Sequence, residues 1–272
     1  MDFAFLHSAT DIGNLSVYTF HDQNLGVADV GRYIIVAAMA RKAGAATTIT
    51  SITVGGESAT IVKQVTNNIT NTDIAGIAIA AVPTGTSGDI VVTFGAGMVR
   101  CAIGVYRVVG IDSATPADSG SSIADDPTCS LDVPAGGFAI GTGLTAKAAS
   151  ASWTGLTEDY DGTLETYVTY TGASDEFVAE QAGLTIVIDF ALSAESVGVF
   201  ASWAPVGGIT YYHGLSIQGV GELALCDVGI NPLRIRKGGT TYGIELVATD
   251  APNASAVRIK TGAGIKAIRK YT

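Results

Sequence analysis

Alternation of apolar and polar residues dominates the chain. Segments in which every second residue is apolar, and short runs of continuous apolar residues, are rich in Val, Ile, Thr, Tyr and Phe. Clusters of Gly, Asn, Asp, Ser and Pro separate them, as is typical of β-strands joined by turns. No window carries the long apolar stripe with a period of 3.6 residues that indicates an amphipathic helix. The pattern therefore predicts an all-β protein.

The predicted strands fall into two series. We place strands at 16–20, 33–40, 48–54, 59–65, 74–82, 88–94 and 98–108, and then at 130–133, 138–145, 152–158, 165–170, 176–181, 184–190 and 197–204. The segment 111–128 between the series is long, small and polar. We predict that it crosses from one series to the other as a surface loop.

The two series resemble each other. Segment 33–42 matches 138–147 at an offset of 105, "ITSIT" matches "WTGLT", "GDIVVTF" resembles "GLTIVIDF", and "IGVYRV" resembles "GVFASW". Two copies of about 100 residues are too long for a solenoid repeat. We interpret them as the two halves, about 1–110 and 129–205, of one jelly-roll-like β-sandwich over residues 1–205. Two separate immunoglobulin-like sandwiches are the alternative.

Residues 206–272 are predicted to form a small C-terminal module of β-hairpins. "PLRIRKGGTTYGIELV" has the pattern of a strand, a two-glycine turn and a second strand, and "VRIKTGAGIKAIRKY" nearly repeats it around a Gly-Ala-Gly turn. Two small hairpins cannot form a core of their own in water. They need the main domain or another subunit to cover their apolar side.

The charge of the chain is unevenly distributed. The net charge is −10, but residues 1–230 hold seven basic and 23 acidic side chains, whereas residues 231–272 hold eight basic and two acidic ones. Such asymmetry indicates that the two parts meet different electrostatic surroundings. We predict that the basic side chains of the C-terminal module mediate docking or oligomerisation, and solvated strand faces without a partner are the alternative. These residues are Arg234, Arg236, Lys237, Arg258, Lys260, Lys266, Arg269 and Lys270.

Composition excludes several classes of protein. With 47% hydrophobic and 15% charged residues and 34 glycines, the chain is not intrinsically disordered. Its apolar runs are far shorter than the roughly 18 residues of a membrane-spanning helix, and its N-terminus lacks the pattern of a secretory signal. We therefore expect no membrane insertion, and assembly in a cytoplasm. The three widely spaced cysteines, Cys101, Cys129 and Cys226, are expected to be reduced.

No catalytic constellation is evident in the sequence. The histidines, His7, His21 and His213, have no local motif that pairs them with a nucleophile. Phosphate-binding loops and zinc-ligand spacings are also missing from the pattern. The acidic net charge disfavours nucleic acid as a partner. We predict that the protein is not an enzyme and needs no cofactor.

Two segments carry weaker candidate chemistry. "EDYDGTLE" places Glu158, Asp159, Asp161 and Glu165 around a predicted turn, and carboxylate oxygens are ligands that Ca²⁺ prefers. A solvated acidic turn without metal is the preferred interpretation. Aromatic rings that could stack on a sugar belong to Trp153, Tyr160, Tyr211 and Tyr212. Core packing or subunit contact is the preferred interpretation for these rings.

A family resemblance gives these features a context. "LGVADVGRYIIVAAMAR", "TSITVGGESATIV", "AAVPTGTSGDIVVTF" and "MVRCAIGVYRV", in that order, resemble a pattern in structural proteins of tailed phages and prophages. "PLRIRKGGTTYGIELV" resembles a small β module common at the termini of fibre and tail proteins. Hydrophobic rhythm and glycine placement carry the match, and no catalytic residue is carried over.

The resemblance implies a virion component, a fibre or spike subunit attached to head or tail. Its expected partners are other virion proteins and copies of itself, with a trimer as the implied oligomer. A carbohydrate-binding module that recognises a glycan of the host surface, or a capsid decoration protein, are the alternatives.

Overall fold

The structure, a computed structural model, describes residues 1–67, 71–192 and 195–206 and four short strands between 234 and 267. The chain divides into two compact units, Met1–Ile209 and Thr210–Thr272. Every regular element in the described ranges is a β-strand, and the strands form stacked sheets. The prediction of an all-β sandwich fold is thereby confirmed. No described element is a helix with the length and apolar character needed to traverse a bilayer.

The first eight strands form one bent sheet. They are β1 (Asp2–Asp11), β2 (Leu15–Asn24), β3 (Arg32–Ala43), β4 (Ile49–Val54), β5 (Glu57–Thr66), β6 (Asn71–Ala81), β7 (Ser87–Met98) and β8 (Arg100–Val109). Their order is β1-β8-β3-β6-β5-β4-β7-β2. The sheet turns over at the β4–β5 hairpin, so that β2, β4 and β7 face β3, β6 and β8 across an apolar core. This is the strand arrangement of a complete jelly roll, in which β1, β8, β3 and β6 lie opposite β2, β7, β4 and β5.

The next eight strands repeat this topology. They are β9 (Asp118–Ala124), β10 (Thr128–Val133), β11 (Phe138–Thr145), β12 (Ala151–Thr154), β13 (Thr157–Leu164), β14 (Val168–Glu176), β15 (Gln181–Phe190) and β16 (Ser196–Trp203). Five form a sheet in the order β13-β14-β11-β16-β9, and three form a sheet in the order β10-β15-β12. Each of these strands has neighbours in its sheet that correspond to those of the strand eight earlier in the chain, so that β9 corresponds to β1 and β16 to β8. The repeat thus corresponds to two complete sandwiches rather than to the two halves of one.

Three apolar cores separate four layers of sheet. The first core lies inside the first sandwich, the third inside the second sandwich, and the middle core between the two. In β3, Ile34 and Val36 face the first core whereas Ile35 and Met39 face the middle core. Burial of both faces explains why the central strands are continuous apolar runs rather than alternating ones.

The middle core is closely packed at its aromatic end. The Phe138 ring stacks on Trp203 with centroids 5.2 Å apart and on Phe3 with centroids 4.4 Å apart. The Tyr160 ring lies against the bare backbone of Gly104 on β8 and Gly172 on β14, where an added Cβ would overlap the ring. Glycine is needed at these two positions because strands of both sandwiches approach one side chain closely.

Five predicted elements differ from the observed ones. The predicted strand 176–181 falls on the connection between β14 and β15, and the predicted strand 152–158 spans the end of β12 and the start of β13. Strand β1 was not predicted, and the expected loop 111–128 contains β9. The expected turn at 158–165 lies almost entirely within β13, where Tyr160 and Leu164 face inward. The edge strand β9 was missed because it is half solvated and has few apolar residues. In β1, Phe3 and Phe5 alternate and pack on the middle core, so the sequence did carry a strand signal there that the prediction overlooked.

The second unit contains two described hairpins. Strand β17 (Arg234–Lys237) pairs with β18 (Thr240–Gly243), and β19 (Arg258–Thr261) pairs with β20 (Gly264–Ala267), both antiparallel. These pairings agree with the hairpins expected from "PLRIRKGGTTYG" and "VRIKTGAGIKA".

Candidate functional sites

The four acidic residues proposed for calcium do not share one site. Asp159 accepts a hydrogen bond from Ser174 Oγ at 2.7 Å, and Asp161 accepts one from the Ala151 amide at 3.1 Å. Glu165 follows β13 with a φ of 53° and forms an ion pair with Arg100, with 3.0 Å between Nη2 and Oε2. Glu158 is exposed on β13. No cluster of three or more potential metal ligands occurs among the described residues, because a strand spreads the four side chains that a turn would have gathered.

The two described aromatic candidates for glycan contact are packed in the cores. Tyr160 is buried in the middle core. Trp153 is half-buried beside the third core, where its Nε1 donates to Thr171 Oγ1 at 2.8 Å and its ring meets Phe200 edge-on. Neither ring presents an open face to a sugar. The other two candidates, Tyr211 and Tyr212, lie outside the described residues.

Most of the basic docking candidates lie on the hairpins of the second unit. Arg234, Arg236 and Lys237 belong to β17. Arg258 and Lys260 belong to β19, and Lys266 belongs to β20. Arg269 and Lys270 lie outside the described residues. The paired strands of each hairpin are four residues long, so the basic positions of one hairpin lie close together.

Two of the histidines and two of the cysteines are described. His7 Nε2 lies 2.8 Å from Gln23 Oε1, and the exposed His21 Nδ1 lies 3.0 Å from Asp89 Oδ2. Burial raises the pKa of the fully buried Cys101 thiol well above its ordinary value, and it also raises the pKa of the half-buried Cys129 thiol. A thiol with a raised pKa is a poor nucleophile at neutral pH. His213 and Cys226 lie outside the described residues.

One end of the interface between the sandwiches is polar. Arg100, Arg41 and Asp73 are cross-strand neighbours on β8, β3 and β6. They continue the alternate positions whose apolar members fill the middle core, so their side chains face the second sandwich. We call these three residues, together with Asn67 and Glu165, the polar layer.

Two contacts of the polar layer connect the sandwiches directly. In addition to its ion pair with Glu165, Arg100 donates through Nη1 to the Leu164 carbonyl at 3.3 Å. Asn67 donates through Nδ2 to the Glu195 carbonyl at 2.7 Å, while its Oδ1 accepts from the Asp73 amide at 2.7 Å. Turns of the second sandwich are therefore fixed to strand ends of the first.

Asp73 is the exceptional member of the polar layer. It is fully buried, and neither carboxylate oxygen has a hydrogen-bond partner among the described residues. Arg41 Nη1 and Arg100 Nε are also buried without such a partner. Burial raises the pKa of Asp73 to about 7, although the Arg41 charge and the neighbouring Asn67 side chain lower it. The interface thus contains a carboxyl group that changes its charge near neutral pH.

A second buried polar group lies near the other end of the middle core. Burial raises the pKa of Asp159 to about 6, although the hydrogen bond from Ser174 lowers it. Burial also raises the pKa of the neighbouring Tyr106 and Tyr160 hydroxyls. The Thr142 hydroxyl donates to the Thr171 carbonyl at 3.0 Å beside them. The two tyrosine hydroxyls are therefore uncharged at neutral pH, which suits their place in a core, whereas the Asp159 carboxyl group loses its proton as the pH rises through about 6.

Arg32 has a structural role that the sequence did not indicate. The side chain is 1% exposed and makes five hydrogen bonds, all to backbone carbonyls. Its Nε donates to Val82, Nη1 to Leu25 and Gly26, and Nη2 to Thr84 and Gly85, at 2.7 to 3.1 Å. All five guanidinium donors are satisfied. Arg32 thereby holds the β2–β3 loop against the β6–β7 loop.

The polar layer had a partial signal in the sequence. Arg41 follows the apolar run of β3, Asp73 precedes that of β6, and Arg100 precedes that of β8. A charge at the border of an apolar run predicts the end of a strand equally well, so only the register shows that the three meet.

Comparison with protein-family models, with characterised proteins and with solved structures finds no significant match to this chain.

Proposed function

We propose that the chain is a structural protein of a phage virion, a fibre or spike subunit attached to head or tail. The division of the chain into an acidic double-sandwich body and a basic hairpin unit carries this proposal. The resemblance of the sequence segments to virion proteins supports it. The body supplies a rigid part, because the middle core joins the two sandwiches over an apolar surface.

The hairpin unit supplies the attachment. Basic side chains on short strands complement an acidic surface, which increases the rate of encounter and fixes the orientation of docking. The acidic body of a neighbouring copy and other virion proteins are the proposed partners, in a homo-oligomer with the trimer as the first expectation. Glycan recognition is less well supported, because the described candidate rings, Trp153 and Tyr160, are packed in the cores.

A charge-specific comparison tests the attachment. The full chain is prepared with Arg234, Arg236 and Arg258 changed to Gln, and in a matched form with the same residues changed to Lys. Binding to purified particles of the phage or prophage that encodes the chain is measured by co-sedimentation at low and high salt. We expect wild type and the Lys form to co-sediment, and the Gln form and high salt to release the chain.

Two results would contradict the proposal. An antibody against the chain that detects no protein in gradient-purified particles would exclude a virion component. Binding of the Gln form equal to that of wild type, with no dependence on salt, would exclude attachment through the basic hairpins.

A further inference from the structure

Four polar atoms of the polar layer are buried without a hydrogen-bond partner among the described residues. They are both carboxylate oxygens of Asp73, Nη1 of Arg41 and Nε of Arg100. Arg41 on β3 is the direct cross-strand partner of Asp73 on β6 and of Arg100 on β8, so the three side chains stand side by side on one sheet face. Donor atoms and acceptor atoms therefore lie next to each other in the interface between the sandwiches.

These donors and acceptors do not satisfy one another directly. Among the described residues, no ion pair joins Asp73 to Arg41 or to Arg100. The Arg100 guanidinium is held toward the second sandwich, because Nη2 lies 3.0 Å from Glu165 Oε2 and Nη1 donates to the Leu164 carbonyl. The Arg41 charge still lowers the pKa of Asp73, which places these two groups near each other without a hydrogen bond between them.

The part of the second sandwich that covers these groups offers them little hydrogen bonding. Leu164 and Val168 are cross-strand partners on β13 and β14, and both are buried in the middle core. Their side chains can neither donate nor accept. A buried polar atom without a partner costs more free energy than a hydrogen bond returns, and folded proteins satisfy nearly all such atoms through protein groups or ordered water. The polar layer therefore requires a further group that both donates and accepts.

The charges of the polar layer disfavour an ion as that group. Arg41 and Arg100 carry two positive charges, and the ionised carboxylates of Asp73 and Glu165 balance them. A cation would meet both guanidinium groups, and no cluster of three or more potential metal ligands occurs in the described part of the chain. An anion would meet the carboxylate of Asp73. Water carries no charge, accepts hydrogen bonds from arginine and donates them to a carboxylate.

We propose that the polar layer is a hydration site in which ordered water molecules bridge Arg41 and Arg100 to the carboxylate of Asp73. Each such molecule accepts from a guanidinium N–H and donates to Oδ1 or Oδ2. Buried water makes about three hydrogen bonds to groups that would otherwise lack partners. A few bound molecules replace only part of the hydration shell that a carboxylate has in bulk water, so the ionised form of Asp73 remains unfavourable.

The site can be reached from the edge of the interface. The Arg100 side chain is 14% exposed and Arg41 is partly exposed, whereas Asp73 is fully buried. Water can therefore enter past the two guanidinium groups. One end of the interface is then mediated by water, whereas the aromatic end around Phe138 and Trp203 is packed directly. The inference concerns the body alone and does not depend on the proposed role in a virion.

Magnetic relaxation dispersion of the water signal tests the site in the full chain, because it counts water molecules that stay inside a protein for longer than the protein takes to rotate. In the test variant, Arg41→Met and Asp73→Leu replace two polar side chains of the layer by apolar ones of similar size. In the control variant, Lys147→Met and Asp112→Leu remove the same two charges at exposed positions. Asp73→Asn keeps a side chain that donates and accepts.

We expect the same number of long-lived water molecules in wild type, the control variant and Asp73→Asn, and a lower number in the test variant. Water bound elsewhere in the body contributes equally to all of these proteins, so the difference isolates the polar layer. A crystal structure of wild type should show water within about 3 Å of the Asp73 carboxylate and of Arg41 Nη1.

Three results would overturn the inference. The first is an equal number of long-lived water molecules in wild type and the test variant, and the second is a crystal structure in which Arg41 donates directly to Asp73. The third is a lower number in wild type after chloride is added, which would show that an anion takes the site. Thermal melting checks that each variant is folded, and the wild-type crystal structure decides the question where the test variant does not fold.

Discussion

Replacing Asp73 by Asn is expected to stabilise the protein at neutral pH. Asp73 is fully buried at the interface between the sandwiches, with no hydrogen bond to either oxygen among the described residues. An ionised carboxylate in that position has lost its hydration without gaining a hydrogen bond from the described residues. Asn has nearly the same shape and stays neutral at every pH.

The sign of the pH dependence follows from the two pKa values. In the unfolded chain the carboxyl group releases its proton near its ordinary pKa of about 3.9, whereas in the folded chain the pKa is about 7. Between these values the folded protein holds the additional proton. The free energy of unfolding therefore decreases as the pH rises from about 4 to about 7, and this loss is complete above the folded pKa.

The size of the effect has an upper limit. A difference of about three pKa units at about 1.4 kcal/mol each corresponds to about 4 kcal/mol. Loss of the attraction between Asp73 and Arg41 reduces the gain from the substitution. We therefore expect the Asn variant to exceed wild type by about 2 to 4 kcal/mol at about pH 8 and to equal it at about pH 4.

Urea denaturation followed by tryptophan fluorescence measures this difference. Trp203 is fully buried in the middle core, so its emission reports on the interface that contains Asp73. Asp112→Asn removes an exposed carboxylate from the segment between the sandwiches and serves as the control, with no expected change in the pH slope. Stability curves of wild type and Asp73→Asn that stay parallel from about pH 4 to about pH 8 would refute the reasoning.

Three further substitutions test other parts of the body. Arg32→Ala should lower the free energy of unfolding by about 3 to 5 kcal/mol, because five backbone carbonyls lose their donors, and Arg32→Lys should recover only part of it; equal stability of the Lys variant and wild type in urea denaturation would contradict this. Gly104→Ala should cost about 1 to 3 kcal/mol through overlap with the Tyr160 ring, and a double-mutant cycle with Tyr160→Ala should show strong non-additivity, whereas additive effects would contradict the contact. Glu165→Gln should cost only about 0 to 1 kcal/mol, because its ion pair with Arg100 is partly solvated; a loss above about 2 kcal/mol in the same assay would show that the polar layer is more tightly coupled than its exposure indicates.

The central strands could be predicted because both of their faces are buried. Segments 33–40, 74–82 and 98–108 coincide, to within two residues at their ends, with parts of β3, β6 and β8, whose side chains fill two cores each. Such strands show as uninterrupted apolar runs, which are the strongest strand signal in this chain. The edge strand β9, with the sequence DSGSSIA, has no comparable run. Its position is set by hydrogen bonding to β16, which the local sequence does not encode.

The predicted alignment of the two series of strands was partly correct. In the structure Tyr33 pairs with Val108, and Phe138 pairs with Trp203, so the resemblance of "IGVYRV" to "GVFASW" aligns equivalent residues. The match of "ITSIT" to "WTGLT" was wrong, since Ile52 and Trp153 are the equivalent residues of β4 and β12. Connections of different length shift the offset from strand to strand. A single offset therefore identifies one pair of strands and misplaces others.

The polar layer could not be predicted, although its residues are ordinary in sequence. Positions 41, 73 and 100 are far apart in the chain and meet only through the pairing of β3 with β6 and β8. The acidic segment 158–165 shows the opposite error. Its four carboxylates are close in sequence, but β13 distributes them over two faces and a turn. Proximity along the chain is a poor guide to a site in a protein whose contacts join distant strands.

The middle core also makes the stability of each sandwich depend on the other. Ile35, Ile77 and Tyr106 project from the first sandwich into the middle core, and Phe138 and Val199 project from the second. Either sandwich alone would expose that whole sheet face to water, at a cost of about 25 cal/mol for each Å² of apolar surface. The same requirement accounts for a chain with 47% hydrophobic and only 15% charged residues, since two of its four layers have no solvent-facing side. Among the described strands of the body, those of the outer layers pack on one core each and so keep one face toward the solvent.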